Sequence, residues 1–410
     1  MHISSTSSNQ SILACDKRFI ASAVLESLNI DEWPFPIKGL PKGSALVGGS
    51  IRDLLLERAQ RRKDLDLVVP NQAIDLARNY AKSLNGTFVL LDEKREIARL
   101  VVGDWTIDFA TRVGSCLEND LLRRDFKLNA IALTLDSAPK LIDPTGGLDE
   151  LKQKRISAVS EQNLLDDPLR LLRALRLMAE LNLTLETRTR KWIEHHHALL
   201  LQVAPERIQG ELKNLVQSRW ADEAIRVLKE LGLLTFWGNS EDEFKKAAPS
   251  LANCQNLRPQ ELIEALPLLR LTNLLSDRGL EQLRFSRKQC KKCQLLRKWQ
   301  LRNDGLAFQT LNEADRLALH EDLEEDLPAL KVDLLPNEQI SWLQRWRDRD
   351  DPLFHPASPV NGRVLQDSLG LEPGPKLGEV IRYLCHERAF GRLRNREDAL
   401  KAACYFIEQN

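Results

Sequence analysis

Two aspartates, Asp64 and Asp66, flank one leucine at the start of an apolar run, "KDLDLVVP". In a strand, residues two apart point to one face, roughly 6.5–7 Å from each other. Leu65 and Leu67 then face the other way. Two carboxylates so placed can hold hard cations such as magnesium, which take oxygen ligands. Two such ions about 3.5–4 Å apart stabilise the attacking and leaving oxygens of an in-line phosphoryl displacement. Taken alone, the pattern is equally that of a strand end with two solvated acids. Asp108, in "TIDFATR", is a third carboxylate on a short apolar strand. It either completes a metal site or is an edge-strand acid.

Three more stretches carry polar groups at useful spacing. In "LVGGSIRD", residues 46–53, a strand runs into two glycines and then a helix. Gly48 and Gly49 let backbone N–H groups approach an anion, and a helix N-terminus favours phosphate. Ser50 adds a donor and Arg52 a fixed positive charge; a plain strand-to-helix turn is the other reading. In "LLRRDFKLNAIAL", Arg124 follows Arg123 and precedes Asp125. An Arg beside an Asp can hold a ribose, whose 2′-OH both donates and accepts; a salt bridge at a domain edge is the alternative. In "DDPLRLLRALRL", Asp167 and Arg170 share a helix face. Asp accepts from an exocyclic amine and Arg donates to a ring acceptor. Cytosine and adenine present that pair of groups; uracil and guanine present the reverse. Such a pair selects C and A without a template. Arg173 and Arg176 continue the stripe, suited to phosphates or stacking. The alternative is an N-cap aspartate with a solvated arginine face.

The elements that must position these groups are legible from periodicity. Residues 38–150 hold short β-rich runs, "SALVGG", "LDLVV", "TFVLL", "IARLVV", "WTIDFA" and "AIALTL", with a helical pattern at 71–84 between them. This predicts a mixed α/β domain. After the turn-rich Asp143-Pro144-Thr145-Gly146-Gly147 the pattern becomes helical almost throughout. Leu169, Leu172, Leu175 and Ala179 make one apolar face, and Asp167 with Pro168 suits an N-cap and N1 pair. Prolines and glycines cluster again near 352–376, which suggests a joint.

Length and composition set the frame. The 410 residues exceed one ordinary core, and 43% are hydrophobic. No apolar run reaches transmembrane length, so no membrane partner is expected. The polar opening, residues 1–15, reads as a disordered lead-in without the features of a secretory signal. Seven scattered cysteines argue against a disulfide framework and fit a reducing cytoplasm. Cys290 and Cys293 read as two small apolar residues one helical turn apart, and His195–His197 as helix surface. Net charge is zero, yet Arg284–Arg302 holds eight Lys or Arg and no acid, while 313–325 is acidic. The basic stretch is a candidate RNA-backbone surface through Arg287, Lys288, Lys291, Lys292 and Lys298; a solvated helix face is the alternative.

These pieces, in this order, resemble the class II tRNA nucleotidyltransferase and poly(A) polymerase family. The matching stretches are "LVGGSIRD", "DLDLVV", "RRDFKLNAIAL", "LIDPTGGLDEL", "DDPLRLLRALRL" and "ERIQGEL", with "LRFSRK" and the tail from "NGRVLQDSLG" also similar. The resemblance implies a polymerase-β-like α/β nucleotidyltransferase head followed by an all-α neck, body and tail. An N-terminal extension would span 1–37, the head 38–150, the neck with its base-reading site 151–240, the body 241–305 and the tRNA-binding tail 306–410. It implies that Asp64 and Asp66 hold two Mg2+ ions, with Asp108 as a third ligand candidate. Gly49 and Arg52 would touch phosphates, Arg124 and Asp125 the ribose, and Asp167 and Arg170 the base, with Arg173 and Arg176 beside them. The Asp143–Gly147 turn would be a hinge, braced by Glu206 and Arg207. The implied reaction is attack of a tRNA 3′-OH on the α-phosphate of CTP or ATP, with pyrophosphate leaving.

Two departures stand out. Where the family usually has Glu before the base-reading Asp, this chain has Asp166. Only ten residues separate Arg112 from Arg123, where enzymes that add all of C-C-A usually carry a longer flexible loop. CC-adding relatives lack that loop. The spacing therefore points to CC addition, with the terminal A from a separate enzyme. Full CCA addition, A addition and poly(A) synthesis are the enzymatic alternatives; an RNA-binding protein with an inactive palm and a small-molecule nucleotidyltransferase are the others.

Overall fold

The computed structural model describes residues 13, 17–58, 63–238, 256–302, 308, 311–331 and 336–409. The polar lead-in (apart from Leu13), Arg61 and Arg62 before the aspartate pair, and the start of the expected body at 241–255 lie outside them. The chain divides into two compact units. The first runs to Val203 and takes in Leu231–Leu233; the second is Ala204–Glu230 and the chain from Leu234.

The first unit is built on a seven-stranded sheet. Its strands are β1 (Ala45–Val47), β2 (Lys63–Val69), β3 (Thr87–Asp92), β4 (Ile97–Val102), β5 (Trp105–Thr111), β6 (Ala132–Thr134) and β7 (Leu141–Ile142), in the order β3-β4-β5-β2-β1-β6-β7. The six β-rich runs of the sequence all hold strands; β7, only two residues long, is too short for alternation to register. β2 and β5 are parallel and every other pair is antiparallel. The period-2 geometry does what the spacing suggests: Leu65 and Leu67 are 2% and 1% exposed, and the two aspartates take the other face. On the apolar side Tyr80 of helix α3 (Ala73–Ser83) stacks between Phe35 and Phe109, with centroids at 4.6 and 5.9 Å.

Downstream of the sheet the first unit is mostly helical. Helix α7 (Leu169–Leu181) buries Leu169, Leu172, Leu175 and Ala179, the face that the periodicity predicts. Its start has the expected cap. Asp167 is extended while Pro168 already has helical torsions, so the aspartate is the N-cap and the proline the first helical position. The Asp167 carbonyl accepts from the Arg170 N–H at 3.0 Å, and its Oδ1 from the Leu169 N–H at 3.4 Å. The region is also not purely helical. β8 (Arg155–Ile156) pairs in parallel with β9 (Thr184–Leu185).

The second unit is helical in all its described elements. One core gathers Leu269, Leu296, Trp299, Leu319, Leu330 and Phe354. A separate one, near the chain's end, gathers Val360, Leu365, Val380, Leu384, Ala399 and Ala403. Arg270 ties three helices of this unit. Only 4% exposed, it donates from Nε and Nη2 to Asp222 at 2.7 and 3.0 Å, and from Nη1 to the carbonyls of Val216 and Ser218. Removing one partner of a buried pair leaves the other charge uncompensated. Arg270→Leu is expected to cost about 3 kcal/mol, read as a lower denaturant midpoint of the full chain. Among the described residues, no helix is long and apolar enough to cross a membrane.

Candidate active site

The register of β2 against β5 places Asp66 directly beside Asp108 and Asp64 beside Thr106. β5 lies between β4 and β2, so Asp108 is not an edge-strand acid. Its position also brings a partner that the sequence did not suggest. Arg99 sits opposite Asp108 on β4 and binds it through both oxygens, Nε to Oδ1 at 2.7 Å and Nη2 to Oδ2 at 2.8 Å. Among the described residues, no three His, Cys, Asp or Glu side chains form a ready-made metal cage. The aspartates nevertheless feel one another. Burial pushes the Asp66 carboxyl above the usual carboxylate range, and Asp108 and then Asp64 push the same way, while Arg124 and Arg52 oppose them. A carboxylate held at such a cost gains from any cation placed beside it.

Gly48 is required on two counts. Its φ of +77° is unfavourable for L side chains. A Cβ there would lie 3.2 Å from Asp66 Oδ2 and 3.3 Å from Arg124 Nη1. The backbone thus passes between Asp66 and Arg124 of the "RRD" stretch. Gly49 opens helix α2 (Gly49–Leu55), where a Cβ would meet only ordinary contact with Arg52. The Ser50 hydroxyl donates to the Asp64 carbonyl at 3.0 Å and so fixes α2 to β2. Arg52, 7% exposed, donates from Nε to Asp53 at 2.9 Å and from Nη1 to Asn129 Oδ1 at 2.8 Å.

The ribose and base candidates converge on the same unit. Arg124 pairs with Asp120 at 3.3 Å, and its Nε is buried with no hydrogen-bond partner. Asp125 accepts from the Phe126 N–H at 2.8 Å and from Asn129 Nδ2 at 3.1 Å, and faces Arg173 Nη1 at 3.3 Å. Burial would raise its carboxyl, but Arg173, the Asn129 amide and the Phe126 N–H outweigh it, so it stays below the usual range and ionised. Arg170 reaches across from α7 to the carbonyls of Arg123 at 3.2 Å and Asn163 at 2.8 Å. Burial lowers its pKa, against Asp125 and Asp167. Asn163 completes the clamp by donating to the carbonyls of Leu122 and Arg124 at 2.9 and 2.7 Å. Arg176 pairs with Glu180 at 2.7 Å along its own helix. Asp166 is exposed and accepts from Gln162 at 2.9 Å. Asn129, Asn163 and Arg99 were missed by the sequence reading. The signal for Asn129 was a single amide inside the apolar "KLNAIAL".

Elsewhere in the first unit, His196 contacts Glu161 and His197 the Glu194 carbonyl. In the second unit, Glu206 pairs with Arg284, and Gln209 donates to the carbonyls of Leu283 and Arg284, so the "ERIQGEL" and "LRFSRK" stretches meet. Helix α13 (Arg287–Leu301) carries the basic stretch. Arg287, Lys288 and Lys291 are exposed. Lys292 and Lys298 are instead bound at 2.7 Å by Asp326 and Asp322, so the nearby acids answer part of the basic run. Cys290 and Cys293 are buried thiols.

With this geometry in hand, similarity to known proteins is informative. Residues 44–157 match the poly A polymerase head domain, and residues 182–237 a family described as a probable RNA and SrmB- binding site of polymerase A. The chain is 31% identical over 402 residues to a CC-adding tRNA nucleotidyltransferase of Synechocystis sp., spanning 90% of this chain and 95% of that one. It is 30% identical over 430 residues to an A-adding tRNA nucleotidyltransferase of Deinococcus radiodurans, spanning 89% and 95%. In fold it resembles the Thermotoga maritima CCA-adding enzyme solved with tRNA, at a TM-score of 0.67 and 20% identity over 97% and 98% of the two chains. The chain thus belongs to the class II tRNA nucleotidyltransferase (CCA-adding) family and is a tRNA nucleotidyltransferase.

Proposed function

We propose that the chain adds cytidines from CTP to the 3′ end of tRNA, stops after two, and leaves the terminal adenosine to a separate enzyme. The observation that carries this reading is the segment between Arg112 and Arg123. It folds around one short helix, α4 (Leu117–Leu121), with Leu117 and Leu121 in the core and the Val113 N–H held by Asp120 at 3.1 Å. So short and anchored a segment leaves no length for a long mobile loop. The similarity to the Synechocystis protein supports the reading; the A-adding Deinococcus relative favours A addition as the second one. The test supplies tRNA lacking its last three nucleotides with CTP, with ATP, and with both. Products two cytidines longer, even with ATP present, are expected on a sequencing gel. A full triplet, or extension by ATP alone, would replace this reading with CCA, A or poly(A) addition. No extension under any condition would favour an RNA-binding protein with an inactive palm.

The residues present fit divalent ions: the donors are all carboxylate oxygens, and Asp66 is an anion made costly by burial and by Asp108. Asp64 and Asp66 would hold magnesium, with Asp108 shared between that site and Arg99. Bound there, the ions supply charge stabilisation to the attacking 3′-OH and the departing pyrophosphate. Arg52 and Arg124 orient the triphosphate, Arg124 having a buried Nε still free to donate beside the gap left by Gly48. Asp125 accepts from the ribose hydroxyl. Asp167 and Arg170 present acceptor and donor to the Watson–Crick edge of C. Free thiols at the five described cysteines suit a reducing cytoplasm.

On the second unit, Arg287, Lys288 and Lys291 are the tRNA-backbone candidates that remain after intramolecular pairing. Lys288→Ala with Lys291→Ala is expected to lower tRNA affinity and to flatten its logarithmic salt dependence by about two. Lys292→Ala and Lys298→Ala should leave that slope unchanged. Binding titrations between low and moderate salt check both, and an unchanged slope in the first variant removes the assignment.

A further inference from the structure

Asn129 joins two of the candidate site's charged side chains. Its Oδ1 accepts from Arg52 Nη1 at 2.8 Å, and its Nδ2 donates to Asp125 Oδ1 at 3.1 Å. Beyond Arg52 the line continues to Asp53 at 2.9 Å; beyond Asp125 it continues to Arg173 at 3.3 Å. Five side chains therefore run unbroken from α2 to α7. Arg52 and Asp125 are each only 7% exposed, so water screens them little. The chemistry of the neighbours settles which way round the amide sits. Turned over, it would set its NH2 against a guanidinium and its oxygen against a carboxylate, two repulsions in place of two hydrogen bonds. A carboxylate at this position could serve Arg52 but not Asp125, and an alkyl side chain could serve neither.

We propose that Asn129 is a positioning residue that ties the orientation of Arg52, on the phosphate side, to that of Asp125, on the ribose side, and so sets discrimination between ribo- and deoxyribonucleotides. This rests on the assignment of Arg52 to phosphate and Asp125 to the 2′-OH made above. Asn129→Asp keeps the shape and the acceptor for Arg52, but places one carboxylate against another at Asp125. Asn129→Leu removes both bonds at similar volume. The two substitutions thus separate the two ends of the line.

The experiment uses the full chain, tRNA lacking its last three nucleotides, and CTP and dCTP in parallel. Asn129→Asp is expected to keep the KM for CTP within about twofold while its CTP-over-dCTP ratio of kcat/KM falls about tenfold. Asn129→Leu is expected to lose the same selectivity and also to raise the KM for CTP about tenfold. Equal falls for CTP and dCTP, with the ratio intact, overturn the proposal and leave Asn129 a structural residue. If the leucine variant does not fold, the isosteric aspartate variant carries the test. A wild-type chain that adds no nucleotide overturns the proposed function instead. Calorimetric affinities for CTP and dCTP then still decide the role of Asn129, an unchanged ratio counting against it.

Discussion

Asp66→Asn is expected to lower nucleotide addition by about 10³-fold and at the same time to raise the temperature at which the metal-free protein unfolds. The two effects share one cause. In the fold, burial and the neighbouring Asp108 and Asp64 make the Asp66 anion costly, and Arg124 and Arg52 only partly relieve it. Its folded pKa therefore lies above the unfolded value. Between those two values the native state holds the extra proton, so stability falls as pH rises through that window. Above that window the full penalty applies. The amide carries no charge and escapes it, for a gain of about 1 kcal/mol, or roughly 2–4 °C. Scanning calorimetry with chelator present checks this at pH 7. A lower midpoint in the variant would remove the electrostatic account. Added magnesium should then stabilise the wild type and not the variant, because only the wild type offers the ion its ligand.

Gly147→Ala is expected to destabilise the first unit by about 3 kcal/mol, whereas Gly146→Ala, one residue away, should cost about 1. The neighbours are glycine for different reasons. Gly146 has φ +77° with nothing within 4 Å of a would-be Cβ, so alanine there meets only backbone strain. At Gly147 the Cβ would lie 2.2 Å from the Lys127 carbonyl oxygen and 2.8 Å from Ile131. Neither is the loose end of a side chain, so the backbone itself must move. The turn around it is also fastened: Asp143 caps the Gly147 and Leu148 N–H groups at 2.7 and 3.0 Å, and Lys127 in turn donates its N–H to Ser157. Chemical unfolding of the two variants side by side gives the contrast. Similar losses would mean that the close approach is not what selects glycine at 147. Since Lys127 opens the turn that ends at Asn129, nucleotide addition should fall with stability in the Gly147 variant alone.

Much of this architecture was legible in the chain before any coordinates. Runs such as "LDLVV" and "IARLVV" carry enough β-branched and alternating character to declare strands locally. The apolar face of α7 is written at helical spacing. The candidate site residues could be named because each lies inside a short motif with its own stereochemical reason. What stayed hidden depends on register or on distant partners. Nothing local says that Arg99 will face Asp108, since that follows from how β4 pairs with β5. Nothing in "RKQCKKC" says that Asp326 will take Lys292 while Lys291 stays in water. Pairs of two residues each, such as β8 with β9, are held by partners rather than by propensity, so periodicity cannot reveal them.

The parallel pairing of β2 with β5 also bears on how the protein is made. Parallel strands cannot be joined by a tight turn, and here residues 70–104 must fold back before Asp66 gains its neighbour Asp108. The other edge of β2 is covered by β1, but β1 in turn waits for β6, which ends at Thr134. On the ribosome, then, a chain that has emerged only as far as β4 displays β2, with its buried Leu65, Leu67, Val68 and Val69, with one edge unpaired. Late, long-range closure of this kind is slow and exposes the nascent chain to mispairing. Asp66 and Asp108, whose charges repel, are brought together only when β5 joins β2, so the candidate site takes shape only after β1 to β4 have been made.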